Sequence, residues 1–237
     1  ALSAPANITV IICGMAGARQ GWVEAGYVDV PCNLSAVLSA ATPVPNVARD
    51  IRILPGIAQR FEATPDVMRG EETQLLGALS EHYKSGTQLV CMPGTHSKWV
   101  NVESLRVTGF ATFMTGELFD VISKHSILQH AIAGAEAFDG NNASFKAALI
   151  DAVQNPQMAS NRLFTARSGQ LLHGLSATDA KAKLSGIMIG LEIAGAKSTS
   201  PEGAEVILIG SGALGALYQQ AFAALDISYS TIDADEA

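Results

Sequence analysis

The chain has 237 residues, of which 48% are hydrophobic and 16% are charged, and its mean hydropathy is +0.24. This composition is typical of a globular protein with a buried core, of the size of one large domain or two modest ones. The formal net charge of −7 argues against a broad nucleic-acid-binding surface. An acidic protein still binds phosphate groups locally, through backbone amides and a few Lys or Arg side chains.

The sequence also lacks the signals of export and membrane insertion. No apolar run reaches the roughly 18 residues of a membrane span, and no signal peptide opens the chain. We therefore expect no membrane and no nucleic acid among the partners, and a cytoplasmic location. Three widely spaced cysteines, Cys13, Cys32 and Cys91, fit neither a disulfide framework nor a zinc site, and we expect buried free thiols.

The first third of the chain predicts two strands and a helix. "ANITVIICGMAGARQGW" indicates a buried strand over 8–13 that breaks into a loop punctuated by glycine. "IRILPGIAQRF" indicates a second strand ending at Pro55-Gly56. A helix follows, with Glu71 and Glu72 in its first turn and Gly86 at its end.

The remainder predicts a mixed sheet flanked by helices. "TQLVCMP", "KWVNVE" and "LRVTGFATFM" are strand-like runs separated by short turns, which favours an antiparallel meander. Helices and loops follow, including the apolar helix "LSGIMIGLEIAGA", and then the strand "EVILIG", a helix and a last strand "ISYSTI". This order of elements indicates an α/β layer architecture.

The turn Gly94-Thr95-His96-Ser97, between the first two strands of the meander, is a candidate anion site. Tight glycine turns expose consecutive backbone N–H groups, which bind anions. Thr95 and Ser97 add hydroxyl groups, and Lys98 adds a positive charge. Taken alone, an ordinary hairpin turn explains these residues at least as well, with His96 an exposed loop histidine.

A second candidate is the loop Gly210-Ser211-Gly212-Ala213, which follows a strand and precedes a helix. A glycine loop at a helix N-terminus lets a nucleotide approach the backbone closely. Gly210, Gly212 and Gly215 also match G-x-G-x-x-G, with Asp233 about 20 residues further on, so an NAD-dependent oxidoreductase is an alternative. A dinucleotide fold needs several further strand–helix units after such a loop, which lowers the weight of this alternative.

A third candidate is "MRGEETQLLG", which places two carboxylates after Arg69-Gly70 at the start of a helix. Acids in a first turn favour the helix macrodipole, and that explains one glutamate easily. A phosphotransferase also needs a carboxylate that accepts a hydroxyl proton near the groups that hold the nucleotide phosphates.

At "GMAGARQGW", "VMRGEETQLLGAL", "MPGTHSKWV", "FATFMTGEL" and "ILIGSGALGALYQQAFAALD" the chain resembles the 2-oxo-3-deoxygalactonate kinase family, almost from end to end. That family belongs to the sugar-kinase, hexokinase and actin-like ATPase superfamily. The resemblance implies two ribonuclease-H-like α/β domains facing a cleft. Residues 1–80 would be the remainder of the N-terminal sugar-binding domain, and residues 81–237 the C-terminal nucleotide-binding domain.

The resemblance implies a sugar-acid kinase that uses ATP and Mg²⁺ to phosphorylate 2-dehydro-3-deoxy-D-galactonate at its terminal 6-hydroxyl. Gly94 to Lys98 would hold the phosphates, and Gly210 to Ala213 would hold the adenosine. Glu72 matches the position of the catalytic carboxylate, with Glu71 as the second candidate, although related sugar kinases usually carry Asp there.

The sugar acid is implied to lie against the first glycine loop and the approach to the helix. A larger set of residues would contact it: Met15, Gly17, Arg19, Trp22 and Arg69. A guanidinium suits the carboxylate of a 2-oxo acid, although a surface arginine or a core tryptophan is an equally ordinary role. Arg162 and Arg167 either serve the substrate or pair with acids, and the sequence leaves both open.

One departure from the superfamily concerns its first phosphate loop. Kinases of this superfamily begin with an Asp-x-Gly-Thr turn whose Asp helps to hold Mg²⁺, and this sequence has no such motif, so it gives no metal ligand. We therefore expect the chain to be a fragment, and a non-catalytic actin-like ATP-binding protein is a further alternative. The apolar helices are compatible with a homodimer.

Overall fold

A computed structural model describes residue 5 and residues 7–82, 86–201 and 203–237, with the side chains of 80–82 left out. The chain divides into two compact units. Unit 1 comprises Ala1–Thr87, Val100–Phe110 and Glu236–Ala237, and unit 2 comprises Gln88–Trp99 and Ala111–Asp235.

Unit 1 contains short strands and two α-helices. The elements are β1 (Val10–Ile12), a 3-10 helix (Gly14–Gly17), β2 (Tyr27–Asp29), β3 (Cys32–Asn33), α1 (Ser35–Ser39), β4 (Thr42–Pro43), β5 (Ile51–Ile53), β6 (Gly56–Gln59), β7 (Asp66–Met68) and α2 (Glu71–His82). Two three-stranded sheets have the orders β1-β5-β4 and β2-β6-β7. β7 leads directly into α2, so the second sheet positions the helix that carries both candidate carboxylates.

The rest of the chain forms a larger set of helices and strands. The elements are β8 (Thr87–Met92), β9 (Ser97–Glu103), β10 (Arg106–Phe113), α3 (Thr115–His125), α4 (Gln129–Ile132), α5 (Ala143–Gln154), a 3-10 helix (Pro156–Met158), α6 (Ala159–His173), α7 (Ala177–Thr199), β11 (Glu205–Ile209), α8 (Gly212–Ala224) and β12 (Tyr229–Ile232). The turn between β9 and β10 belongs to unit 1.

The parallel pairing of β8 with β11 positions the two candidate loops of unit 2. Leu208 lies opposite Cys91 in the register, and β11 pairs in parallel with β12 on its other side. Since parallel strands end at the same edge of a sheet, the segments that follow β8 and β11 leave side by side. The 93–96 turn and the 210–211 loop therefore share one edge of the sheet.

The core of unit 2 is built around α7. Its glycines allow the backbone of α5 to come close: a Cβ at Gly186 would lie 2.4 Å from the Phe145 carbonyl oxygen, and one at Gly190 would lie 2.7 Å from that of Leu149. This spacing of four residues places both glycines on one face of the helix. Close packing of α5 on α7 follows from it.

The structure confirms a mixed α/β fold and corrects three details of the sequence prediction. The second predicted strand, ending at Pro55-Gly56, corresponds to β5, and a further strand that was not predicted, β6, follows it in a different sheet. Pro55, which separates them, has no N–H to offer to a sheet ladder. The first strand is shorter than predicted, and Cys13 is exposed, whereas Cys32 and Cys91 are buried as expected. Within the described ranges, no helix is long and apolar enough to cross a membrane.

Candidate functional site

The Gly94 turn projects its middle residues toward solvent. Thr95 and His96 are exposed, while the strands on both sides are buried. The carbonyl oxygen of Thr95 accepts a hydrogen bond from the backbone N–H of Glu117, at 3.0 Å. The His96 imidazole Nε2 contacts the carboxylate of Glu117. The start of α3 therefore holds the turn from one side.

Gly116 permits this close approach. A Cβ at this position would lie 2.6 Å from the Gly94 carbonyl oxygen and 2.8 Å from the Thr95 Cα, both well below a normal contact. Gly116 is in the first turn of α3, where the helix macrodipole favours an anion. The turn and the helix start together can accept a phosphate group.

Ser97 and Lys98 point inward. The Ser97 hydroxyl is buried, accepts the Gly94 N–H at 3.3 Å and lies 3.3 Å from the Tyr218 hydroxyl. The ammonium of Lys98, also buried, donates to the His96 carbonyl oxygen at 3.2 Å. Sequence reasoning grouped these two side chains with Thr95 as phosphate contacts. The structure places them beneath the turn, where they hold its backbone.

The Gly210–Ala213 loop begins α8. Gly212 has φ +60°, a left-handed conformation that favours glycine, and α8 starts there. A Cβ at Gly215 would lie 3.0 Å from the Gly210 carbonyl carbon, so the helix turns tightly over the loop. A Cβ at Gly210 would lie 3.7 Å from Pro93, which leads into the Gly94 turn. The two glycine segments are thus neighbours within unit 2.

An apolar cavity of about 860 Å³ lies beside both segments. Gly94, Thr95 and Ala213 border it, together with residues from four further parts of unit 2: Thr115, Gly116, Glu117, Phe119, Asp120, 137–141, Lys181, Ser185, Met188, Ile189, Leu214, 216–218 and Gln220. A cavity of this size and apolar character suits a small molecule with an aromatic part. The wall contributed by residues 137–141 and Lys181 was not foreseen from the sequence.

A buried carboxylate lies beneath the Gly94 turn and was also missed. Glu192 of α7 is buried, and its Oε1 accepts the Trp99 Nε1–H at 2.8 Å while its Oε2 accepts the Tyr218 hydroxyl at 2.7 Å. Side-chain hydrogen bonds from Thr115 and Ser97 also act on it; these four bonds lower its pKa, but burial outweighs them and raises it overall. Its sequence signal is a single acid inside the apolar run "LSGIMIGLEIAGA".

In unit 1, Glu71 and Glu72 both fold back onto the start of their own helix. Glu71 Oε2 accepts the Arg69 N–H at 3.0 Å, and Glu72 Oε2 accepts the Gly70 N–H at 2.6 Å. Glu72 is 0% exposed, and this burial raises the pKa of its carboxyl to about 7, against the lowering effect of the backbone hydrogen bonds. The two glutamates therefore differ: Glu72 is a buried acid that titrates near neutrality, and Glu71 is partly exposed.

Arg69 is held by the first glycine loop and β2. Its Nη2 donates to the Gly26 carbonyl oxygen at 3.0 Å, and its guanidinium carbon lies 4.4 Å above the centre of the Tyr27 ring. A Cβ at Gly17 would lie 2.8 Å from Nη1 and 2.9 Å from the Ile53 Cγ2, so glycine favours this close packing. Within the described part of the chain, the buried Nε and Nη1 find no hydrogen-bond acceptor.

Three further predicted substrate contacts lie on the surface of unit 1. Met15, Arg19 and Trp22 are exposed, Trp22 with 55% of its surface. The backbone N–H of Trp22 donates to the Ala16 carbonyl oxygen at 2.8 Å, and this bond closes the loop after the 3-10 helix. Exposed aromatic and basic side chains on an ordered loop are available to a ligand.

Arg162 and Arg167 both have protein partners on or near α6. Arg162 forms an ion pair with Asp151 at 2.6 Å, and Arg167 donates to the Gln170 side chain at 2.5 Å. Of the two roles that the sequence left open, these contacts favour structural pairing.

A glycine turn and a glycine loop beside one large apolar cavity, in a mixed α/β unit, are typical of a protein that binds a small molecule. The family model described as 2-keto-3-deoxy-galactonokinase matches residues 1–237. The chain belongs to that family.

Two curated relatives and a crystal structure agree with this assignment. The chain is 57% identical over 237 residues to the probable 2-dehydro-3-deoxygalactonokinase DgoK1 of Rhizobium meliloti, covering 100% of this chain and 77% of that protein. It is 33% identical over 228 residues to the 2-dehydro-3-deoxygalactonokinase of Escherichia coli, covering 96% and 75%. A crystal structure of a Sinorhizobium meliloti protein named for the same activity superposes with a TM-score of 0.96 at 56% identity, covering 99% of this chain and 77% of that one.

Proposed function

We propose that the protein is a 2-dehydro-3-deoxygalactonokinase, which transfers the γ-phosphoryl group of ATP to the terminal 6-hydroxyl of 2-dehydro-3-deoxy-D-galactonate. The match of the whole chain to this kinase family carries the proposal. That match includes the Gly210–Gly215 segment on which the dinucleotide alternative rested. The protein therefore acts in the breakdown of galactonate.

ATP is assigned to unit 2. The apolar cavity, about 860 Å³, accepts adenosine against Ala213 and the first turns of α8. The exposed backbone of Thr95 and His96, with the start of α3, receives the β- and γ-phosphates. Ser97 and Lys98 support this backbone from beneath.

Mg²⁺ is proposed to reach the site with the nucleotide. In kinases this ion keeps several waters and is held largely by substrate phosphates and one or two carboxylates. Across the described residues, no three His, Cys, Asp or Glu side chains gather into a metal cluster. When bound, Mg²⁺ would neutralise charge on the transferring phosphoryl group.

Glu72 is the proposed general base. A base works best when its pKa is close to the operating pH, and the pKa of about 7 meets this condition. Its Oε1 lies 3.4 Å from the Thr73 hydroxyl, a weaker bond than the 2.6 Å one at Oε2. Oε1 is thus the oxygen that accepts the proton of the sugar hydroxyl, and Glu71 is the second candidate.

The sugar acid is assigned to unit 1, against Met15, Gly17, Arg19, Trp22 and Arg69. The buried Nε and Nη1 of Arg69 lack acceptors among the described residues, and a buried guanidinium gains strongly from a carboxylate. The carboxylate of the 2-oxo acid is the partner proposed for it. Trp22 offers an exposed aromatic face to the sugar chain.

The finer fold assignment is part of the same proposal. Residues 1–80 form the remainder of the N-terminal sugar-binding domain and residues 81–237 the C-terminal nucleotide-binding domain, both ribonuclease-H-like as in actin-like ATPases. A cytoplasmic location accords with this substrate class. A homodimer remains a hypothesis from the apolar helices of the sequence.

A coupled assay of ADP release tests the function directly. The purified protein is given MgATP with 2-dehydro-3-deoxy-D-galactonate, with its gluconate epimer, or with no sugar. We expect ADP release with the galactonate compound well above the blank, and slower release with the epimer. ADP binding without phosphorylation of either sugar would favour the non-catalytic ATP-binding alternative and discard the kinase assignment.

Arg69→Lys should weaken sugar-acid binding selectively. Lysine keeps the charge but loses the planar fork that binds a carboxylate through two bonds and stacks on Tyr27. We expect the KM for the sugar acid to rise about tenfold, equivalent to about 1.4 kcal/mol, with the KM for ATP unchanged. Arg60→Lys, at an exposed ion pair with Asp29 in the same unit, is the matched control. Equal sugar KM values for the two variants would remove Arg69 from the substrate site.

A further inference from the structure

Glu192 lies on the face of α7 that borders the cavity. Ser185, Met188 and Ile189 line the cavity and precede Glu192 by seven, four and three residues. Residues at these spacings share one face of a helix. The carboxylate therefore continues the cavity wall inward, to a point beneath the Gly94 turn.

The carboxylate joins three elements that surround the proposed nucleotide site. Its donors are Trp99 and Ser97 of β9, Thr115 at the start of α3, and Tyr218 of α8. Ser97 in turn accepts the Gly94 N–H. Thr115 precedes Gly116, which packs on the turn, and Tyr218 lines the cavity. The bonds from Ser97, Thr115 and Tyr218 thus end on groups that fix part of the turn or the cavity, and the bond from Trp99 ties the carboxylate to the core of β9.

We infer that Glu192 is a positioning residue for the nucleotide: its carboxylate sets the direction of the Gly94–His96 backbone relative to α3 and α8. The inference rests on the proposed ATP site. Glu192 touches no reacting atom, and it acts through Ser97, Thr115 and Tyr218. Four donors on one carboxylate give the turn a single orientation, which is what preorganised phosphate binding needs.

A role in stability alone is a poor explanation for this network. Burying a carboxylate is costly, and well-packed apolar residues of similar volume are often as stabilising. The free-energy cost of burying the Glu192 carboxylate has an explanation if its hydrogen-bond network specifies the geometry of the Gly94 turn. Two of its four donors, Thr115 and Tyr218, line the cavity, and a third, Ser97, bonds to the Gly94 turn.

Glu192→Gln tests the inference with little change of volume. One amide oxygen replaces two accepting oxygens, and the amide N–H₂ needs a hydroxyl that donates in the wild type to accept instead, so the network must rearrange. We expect the Kd for ADP to rise about tenfold to a hundredfold, as when outer partners of a site are lost. The KM for the sugar acid should not change. In a Trp22→Phe background, Trp99 is the remaining tryptophan, and its emission maximum should shift in the nucleotide-free protein.

Two further variants separate positioning from loss of folding. Ile187→Ala leaves a cavity in a core cluster of the same helix that contains neither Trp99 nor Tyr218, and ADP affinity should stay as in the wild type despite a lower Tm. Tyr218→Phe removes one donor and should raise the ADP Kd several-fold. The double variant Glu192→Gln/Tyr218→Phe should lose less than the sum of the single changes, because the two groups act together.

Failure of the inference about Glu192 can be distinguished from failure of the proposed kinase function. If the wild type binds ADP and phosphorylates no sugar acid, the function fails and the Glu192 comparison still stands on ADP affinity. Wild-type ADP affinity and unshifted Trp99 emission in Glu192→Gln would overturn the inference. So would an equal loss of affinity in Ile187→Ala, and absence of ADP binding by the wild type would overturn both proposals. If Glu192→Gln does not fold, unchanged ADP affinity in Tyr218→Phe would overturn it.

Discussion

Glu72→Gln should lose most turnover and keep its nucleotide affinity. General base catalysis supplies about 10²- to 10⁴-fold in rate, and we expect kcat for the sugar acid to fall within that range. Glutamine has nearly the shape of the acid and still accepts the Gly70 N–H, so folding and ADP binding should be preserved. Stopped assays of sugar phosphate, with calorimetry of ADP binding on the same preparations, measure both quantities.

The pH dependence follows from the raised pKa of Glu72. Only the ionised carboxylate accepts a proton, so kcat/KM of the wild type should rise with pH through about 7, and Glu72→Gln should lack this limb. The contribution of Glu72 to the free energy of unfolding changes with pH in the opposite direction. The raised folded-state pKa contributes stability below about 4.5, the ordinary pKa, and this contribution is lost as pH rises through about 7.

Glu72→Gln should therefore be more stable than the wild type at pH 8, by up to about 3 kcal/mol for the shift from 4.5 to about 7, and no more stable at pH 4. Glu62→Gln, an exposed acid of the same unit, should alter neither rate nor stability. Near-normal turnover in Glu72→Gln together with an inactive Glu71→Gln would move the base to Glu71.

The elements of unit 2 were predicted well from the sequence because Pro and Gly residues mark where they end. Pro93-Gly94 ends β8 before the strand β9, and Gly210 ends β11 before the helix α8, so the existence and order of these elements follow from short-range signals. The segment 51–61 was predicted less well, because its strand was expected to end at Pro55-Gly56 and β6 was missed. Its apolar residues continue across Pro55, and only tertiary pairing decides that β5 and β6 belong to different sheets.

The glycine loops of the site could be predicted from the sequence, whereas the buried side chains that hold those loops in place could not. Thr95 and Ser97 look equivalent in the sequence, yet Thr95 is exposed in the turn, whereas Ser97 is buried at the start of β9, accepts the Gly94 N–H and lies against Tyr218. Glu192 is 93 residues from Trp99 and 26 from Tyr218, so their contacts depend on how α7 and α8 pack on the sheet. Glu71 and Glu72 are both ordinary first-turn acids in the sequence. Only the structure distinguishes them, since Glu72 is buried and Glu71 is partly exposed.

Gly116→Ala should disrupt the proposed phosphate site more than any other single methyl group. The added Cβ would lie 2.6 Å from the Gly94 carbonyl oxygen and 2.8 Å from the Thr95 Cα, and backbone atoms cannot move aside as a flexible side chain can. Either α3 or the turn must shift, and a displacement of about 1 Å can cost about a hundredfold in catalysis. We expect kcat/KM for ATP to fall by about that factor, measured with saturating sugar acid.

Gly169→Ala is the matched control for this change. Gly169 lies inside α6, where a Cβ would meet Leu175 at 3.4 Å, an ordinary contact. Both substitutions favour the helix by about 0.5 to 1 kcal/mol through reduced backbone entropy, so the control should unfold at a slightly higher temperature and keep wild-type kinetics. If Gly116→Ala behaves like Gly169→Ala in the ATP kinetics, the packing of α3 on the Gly94 turn does not set the phosphate site. A loss confined to Gly116→Ala, with the sugar KM unchanged, places the phosphate at the junction of that turn and that helix.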